Sequence, residues 1–259
     1  IFMNQFKAST FPSKGFDQHT KYRMDLSYVG EHYEGYQSQP SRKAIQDHIE
    51  KALRTFLREK QRVAVVGASR TDSGVHAEHQ VVAFQSLCPF EKKRWEYGIN
   101  CLLPRDITIH AVQRVRDSFC PIRSASGKLY RYSLWRGQGV SPFYSKFVWQ
   151  VPEQIDVECL IKNAQMLIGI HNFTSFCSAD SSAKTREREI FEIRVDVRGP
   201  LIDIWILGGG FLKQMVRIIV GTLIDLALGR IRDITIENIL AKESRVAAGQ
   251  TAPAAGLTL

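Results

Sequence analysis

Residues 67–84 read GASRTDSGVHAEHQVVAF and place Arg70, Asp72 and His76 on a short polar stretch between two apolar runs, 63–66 (VAVV) and 81–84 (VVAF). A carboxylate displayed there can serve as a nucleophile or as a general base, because a loop held between strands presents its side chains to solvent. The same residues are also ordinary turn formers: Asp caps backbone, and Gly accepts positive φ. Thr71-Asp72-Ser73-Gly74 alone predicts a turn, and the rest of the chain must say whether the turn does chemistry.

A second group lies in the stretch 211–228, which is apolar around most of its circumference and reads as a buried helix. It carries Lys213 and Arg217 four residues apart, with Gly221 one turn further. A guanidinium in such a helix calls for a carboxylate or a polyanion, since an isolated buried charge costs several kcal/mol. Asp72 is one candidate partner; a structural acid elsewhere, or a snorkelling side chain, would serve as well. A third group is the segment 114–136, where Arg114, Arg116, Arg123, Lys128, Arg131 and Arg136 interleave with Phe119, Tyr130, Tyr132 and Trp135. Cations for phosphates and aromatic faces for bases make up an RNA surface; a solvated strand over core aromatics is the plainer alternative.

Other features are weaker. Gly208-Gly209-Gly210 lacks the residues of a phosphate-binding loop and reads as a bend. His76 and His79 could move protons, though lone histidines are more often structural. Glu78 or Asp106 could join Asp72 as a hydrolase pair, but neither lies where a turn would bring it to Asp72. Cys88, Cys101, Cys120, Cys159 and Cys177 are widely spaced, which suits reduced thiols in a cytoplasmic protein and neither a disulfide framework nor a metal site. The 35 Lys and Arg against 26 acidic residues, net +9, favour a polyanion such as nucleic acid. The start of the chain has no signal-like apolar run, and no uncharged span is long enough to cross a membrane.

The elements that would position these groups follow from periodicity. Alternation predicts strands at 21–28, 107–115 and 129–135, on either side of the RTDSG turn, and at 191–197 and 201–207, the last two joined at Arg198-Gly199-Pro200. Helices are expected at 41–57, 90–98, 156–167, 211–228 and 234–242. With 259 residues, 44% of them hydrophobic, the chain suits an α+β fold of two subdomains, each an antiparallel sheet flanked by helices, at 21–115 and 116–259, after a flexible extension 1–20.

Arg70-Thr71-Asp72-Ser73-Gly74-Val75-His76-Ala77 resembles the R-T-D-x-G-V-H-A signature of the TruA family of tRNA pseudouridine synthases. The resemblance continues in the family's order. It takes in Tyr28-Val29-Gly30 with Gly35-Tyr36-Gln37, Leu103-Pro104-Arg105-Asp106, Tyr130-Arg131-Tyr132, Phe173-Thr174-Ser175-Phe176, Met215-Val216-Arg217 through Gly221, and Ala255-Gly256-Leu257 near the end. It implies that Asp72 is the catalytic aspartate, that Tyr130 stacks on the target base, that Arg217 ion-pairs with Asp72, and that Arg70 helps hold the flipped-out nucleotide. It further implies a basic cleft between the subdomains, to which Arg123, Lys128, Arg131 and Lys213 would contribute RNA contacts, and a homodimer using no metal and no cofactor. The substrates would be uridines at tRNA positions 38–40, in the anticodon stem-loop. Several positions depart from the family pattern: Ser69 for Gly, Val29 for Asp, Tyr36 for Trp, Cys120-Pro121 for His-Ala, and Asn172 for Asp. A non-catalytic tRNA-binding protein of the same fold is the rival reading.

Overall fold

Strand β1 (Thr20–Tyr28) buries Tyr22, Met24, Leu26 and Tyr28 and leaves Arg23, Asp25 and Ser27 half-exposed, the pattern of a sheet covered on one face. The computed structural model of the chain describes residues 20–88 and 90–259, so the expected extension lies outside the described residues except for Thr20, which opens β1. Strands β2 (Val66–Gly67), β3 (Ala77–Ser86) and β4 (Ile107–Arg114) complete an antiparallel sheet in the order β2-β3-β1-β4. Helices α1 (Ile45–Leu57) and α2 (Lys92–Asn100) cover the apolar face, and Ile45, Ile49, Leu53, Trp95 and Ile99 join the β1 side chains in one core.

The second sheet contains β5 (Lys128–Arg136), β7 (Gly169–Asn172), β8 (Glu187–Arg198), β9 (Leu201–Gly208) and β10 (Leu257–Thr258), ordered β10-β5-β9-β8-β7. The short β6 (Trp149–Val151) pairs parallel to β5, so this sheet is antiparallel except at one edge. Helices α3 (Val157–Gln165), α4 (Met215–Ala227) and α5 (Ile236–Ala241) pack on it around Leu160, Ile204, Ile219, Leu223 and Ile239. The architecture is α+β, with two antiparallel-rich sheets.

Three local expectations are corrected. Helix α1 begins at Ile45, not at 41, because Arg42 takes the left-handed conformation (φ 59°) in a turn that precedes it. Asp47 then reaches back to the Ala44 N–H at 3.2 Å and satisfies a free donor of the first turn. Helix α4 begins at Met215, not at 211, because Gln214 is left-handed (φ 60°). Lys213 therefore stands outside the helix that carries Arg217. Strands β6, β7 and β10 were not expected, being too short to show alternation.

The two sheets meet through the last residues of the chain. Beyond its pairing with β5, the segment donates the Leu259 N–H to the His76 carbonyl (3.0 Å) and accepts the Glu78 N–H at the Leu259 carbonyl (2.7 Å). Val75, on the loop before β3, belongs to the second core, and Leu259 packs against both.

Candidate active site

Asp72 sits on a tight turn between β2 and β3, closed by the Val75 N–H donating to the Asp72 carbonyl at 3.1 Å, with Gly74 at φ +79°. Segment 28–36 grips the turn from one side. The Tyr36 N–H donates to the Thr71 carbonyl (3.0 Å), the Ser73 hydroxyl to the Tyr33 carbonyl (3.1 Å), and the Tyr28 and Thr71 hydroxyls share a buried hydrogen bond of 2.7 Å. A Cβ at Gly30 would lie 1.9 Å from the Val75 carbonyl oxygen, so the two backbones approach as only glycine permits.

Segment 249–259 grips the turn from the other side and is itself stapled to α4. The Thr222 hydroxyl accepts the Gly249 N–H at 2.9 Å, the Asp225 carboxylate accepts the Gln250 N–H at 3.0 Å, and a Cβ at Gly221 would meet the Gln250 carbonyl at 1.9 Å. Arg217, in the first turn of α4, donates from Nε to the Ala252 carbonyl at 2.7 Å and from Nη1 to Asp72 Oδ2 at 3.4 Å. The Arg217 side chain is 15% exposed and that of Asp72 26%, so the carboxylate is paired yet open to solvent. Taking two charges part-way out of water is tolerable because each offsets the other and the guanidinium has a second acceptor.

Tyr130 projects from β5 toward the same face as α4, is 7% exposed, and packs edge-on against Phe211 with centroids 5.2 Å apart. Its phenol is pushed up to about 12, by burial first and, more weakly, by the Asp72 charge, with the Ser69 hydroxyl opposing the rise. Ser69 Oγ is buried and completes no hydrogen bond of normal geometry. The phenol thus stays protonated through the neutral range, within the field of the Asp72 carboxylate.

The other sequence-nominated residues spread out. Arg70, next to the turn, is exposed. Lys213 is exposed and pairs with Asp180 at 2.6 Å, while the Asp72 charge also helps keep it protonated. Lys128 is half-buried, and desolvation first, then the charge of Arg188, hold its amine below the usual lysine range. Arg123 is exposed in a turn in which the Ser124 N–H donates to the Cys120 carbonyl at 2.8 Å. Arg131 follows Tyr130 on the strand and so points from the opposite face, where it pairs with Glu78 and lies 5.4 Å from the Trp205 ring centre. Asp106 accepts from the Tyr33 phenol. Among the described residues neither Glu78 nor Asp106 bonds to Asp72, and the hydrolase alternative loses its second carboxylate. The Ala252 carbonyl, which holds the Arg217 guanidinium, is a contact that sequence reasoning missed; Gly221, four residues past Arg217, was its one outward sign.

Among the described residues no cluster of three His, Cys, Asp or Glu side chains could hold a metal ion, and no helix is long and apolar enough to cross a membrane.

A family model described as tRNA pseudouridine synthase matches residues 26–122 and again 163–259, well over half of the chain. The chain belongs to the tRNA pseudouridine synthase family. It is 40% identical over 237 residues to tRNA pseudouridine synthase A of Bacillus licheniformis, covering 92% of this chain and 96% of that protein. It is 38% identical to the enzyme of the same name from Bacillus subtilis and 39% to that of Acetivibrio thermocellus, with the same coverage. Among solved structures, a Cbf5-Nop10-Gar1 complex is similar at 12% identity and a TM-score of 0.34, over 78% of this chain and 54% of that one, too loosely to bear on the site. As a member of the tRNA pseudouridine synthase family the chain is an isomerase. The two family matches divide the ion pair between them: Asp72 falls in the first, Arg217 and Ala252 in the second.

Proposed function

We propose that the chain isomerises uridine to pseudouridine in the anticodon stem-loop of tRNA, at a site built on Asp72 where the halves 21–115 and 116–259 meet. The observation that carries this reading is the solvent-open Asp72 carboxylate, 3.4 Å from Arg217, with the protonated Tyr130 phenol in its field. Asp72 attacks the ribose or removes a proton from it as the N1–C1′ bond breaks. The uracil turns and rejoins C1′ through C5, N1 gains a proton and C5 loses one, so the reaction is redox-neutral and calls for no cofactor. The reacting uridine must leave its stack, at a cost of about a few kcal/mol that is smaller for a loop nucleotide than for a paired one. Tyr130 offers the stacking face, and Arg70, exposed beside Asp72, helps hold the flipped-out nucleotide.

The amine of Lys128 lies in the field of Arg188, a pair of cations suited to a phosphate. Arg123 and Lys213, both exposed, are assigned RNA contacts in the same reading. Arg131 points away from Tyr130 but lines one groove with Lys128, where it would contact RNA that reaches the groove. The homodimer is part of the same reading, supported by the family resemblance, and light scattering on the purified protein tests it. The deciding experiment maps pseudouridine in an unmodified tRNA transcript incubated with pure protein. Conversion of anticodon stem-loop uridines is expected; modification confined to other arms, or none, rejects the reading.

A further inference from the structure

His76 lies four residues past Asp72, is 3% exposed, and has no step in the reaction as written. Both of its ring nitrogens are nevertheless committed. Nδ1 accepts the Gly30 N–H at 3.0 Å and must be unprotonated. Nε2 lies 3.1 Å from the Ala255 carbonyl, which can only accept, so Nε2 carries the proton. The two contacts specify one tautomer of a neutral imidazole. The backbone of the same residue donates to the Leu257 carbonyl at 3.1 Å and accepts from the Leu259 N–H at 3.0 Å. The ring also packs 5.0 Å from Phe147.

Four stretches of chain therefore converge on one side chain: the loop after β1, the Asp72 loop, the segment ending at Phe147, and residues 252–259. The charged groups around it are Glu31, on the loop after β1, and Lys146, beside Phe147, which pair with each other at 2.8 Å; segment 252–259 brings no titratable side chain. Burial lowers the imidazole pKa, opposed more weakly by the Ala255 and Lys146 carbonyls and by Glu31. Ala255 belongs to the same short segment as Ala252, whose carbonyl orients Arg217.

We propose that His76 is a positioning residue of the uridine isomerisation: a neutral pin, protonated at Nε2, that holds segment 252–259 against the Asp72 loop and so sets Arg217 relative to Asp72. The proposal rests on the isomerase reading above. Protonating Nδ1 would turn it from acceptor to donor against the Gly30 N–H and release the pin. Because the folded pKa is depressed, this contribution to stability is complete above the unfolded histidine value of about 6.5 and is lost as the pH falls toward the folded value.

The test follows single-turnover pseudouridine formation between roughly pH 5 and 8 for wild type, His76→Asn and His76→Gln, with tRNA affinity and thermal melting on the same samples. Asn keeps an acceptor toward Gly30, and Gln keeps a donor toward Ala255. Each folded variant should lose about tenfold or more in rate with tRNA affinity changed less than about threefold, and the acid limb should lose one ionisation. A folded variant with wild-type rate and an unchanged acid limb overturns the proposal. The imidazole 15N resonances of the wild-type protein decide independently of variant folding: a neutral ring protonated at Nε2 is expected near neutral pH, and the other tautomer or an imidazolium overturns the pin. Failure of the wild-type protein to form any pseudouridine would remove the isomerase reading itself, whereas an active wild type indifferent to His76 removes only this inference.

Discussion

Arg217 and Ala252 bond to each other twice: the Ala252 N–H donates to the Arg217 carbonyl at 3.1 Å, and the Arg217 Nε–H donates to the Ala252 carbonyl at 2.7 Å. The exchange locks the guanidinium in one plane and leaves Nη1 to face Asp72 at 3.4 Å. A planar fork can serve two acceptors at a fixed angle, which an ammonium cannot.

Arg217→Lys should therefore keep the charge but not the geometry. A loss of about 1–2 kcal/mol in stability is expected from the missing bond to Ala252, together with a fall in turnover of at least about tenfold. Denaturant melts and single-turnover rates check this, and a variant that matches wild type in both would show that the reciprocal bond has no role.

Asp72→Asn is nearly isosteric and removes only the charge. Turnover should vanish while tRNA affinity stays within about tenfold, or about 1.4 kcal/mol. Tritium release from tRNA labelled at uridine C5 measures the first and filter binding the second. Continued release by the variant would strip Asp72 of its catalytic part.

Gly30→Ala would place a Cβ 1.9 Å from the Val75 carbonyl oxygen. The colliding atom is backbone, so the Asp72 turn must shift. A destabilisation of about 1–3 kcal/mol is expected, with a larger proportional loss in rate than in tRNA affinity, because in the proposed function the displaced turn carries the reacting group and the phosphate contacts lie elsewhere. Equal losses in rate and affinity would argue that Gly30 supports the fold generally and not the turn.

Binding should weaken steeply with salt, and Lys128→Met should lower affinity for all tRNAs alike and reduce the salt slope by about one. Titrations at several salt concentrations read the slope directly. An unchanged slope would place Lys128 away from any phosphate.

Much of the architecture is legible in side-chain periodicity. The alternation of Tyr22, Met24, Leu26 and Tyr28 matches the buried face of β1, and the stripe Ile45, Ile49, Leu53 matches the buried face of α1. Both signals arise because burial on one face imposes the period of the element itself. Other parts are hidden for physical reasons. A left-handed residue such as Gln214 does not disturb an apolar pattern, so periodicity alone extends the helix to 211 and puts Lys213 on one face with Arg217. Arg131 adjoins Tyr130 in sequence, yet the pleat sends the two to opposite faces, and a cluster counted along the chain is split in space. The β10 pairings are backbone interactions that leave no mark on residue type, and the Ala252 carbonyl leaves only the glycine at 221.

The contact between His76 and Ala255 spans 179 positions of sequence, and the strand that seals the two sheets, Leu257–Thr258, is two residues long. Closing so wide a loop for so few bonds is entropically unrewarding until both cores already exist, which makes this docking a late step in folding. In a refolding experiment the Asp72–Arg217 pair should reform after helicity and core burial have returned. During synthesis, the aspartate loop waits for residues 217–259 before it meets its partners on the second sheet.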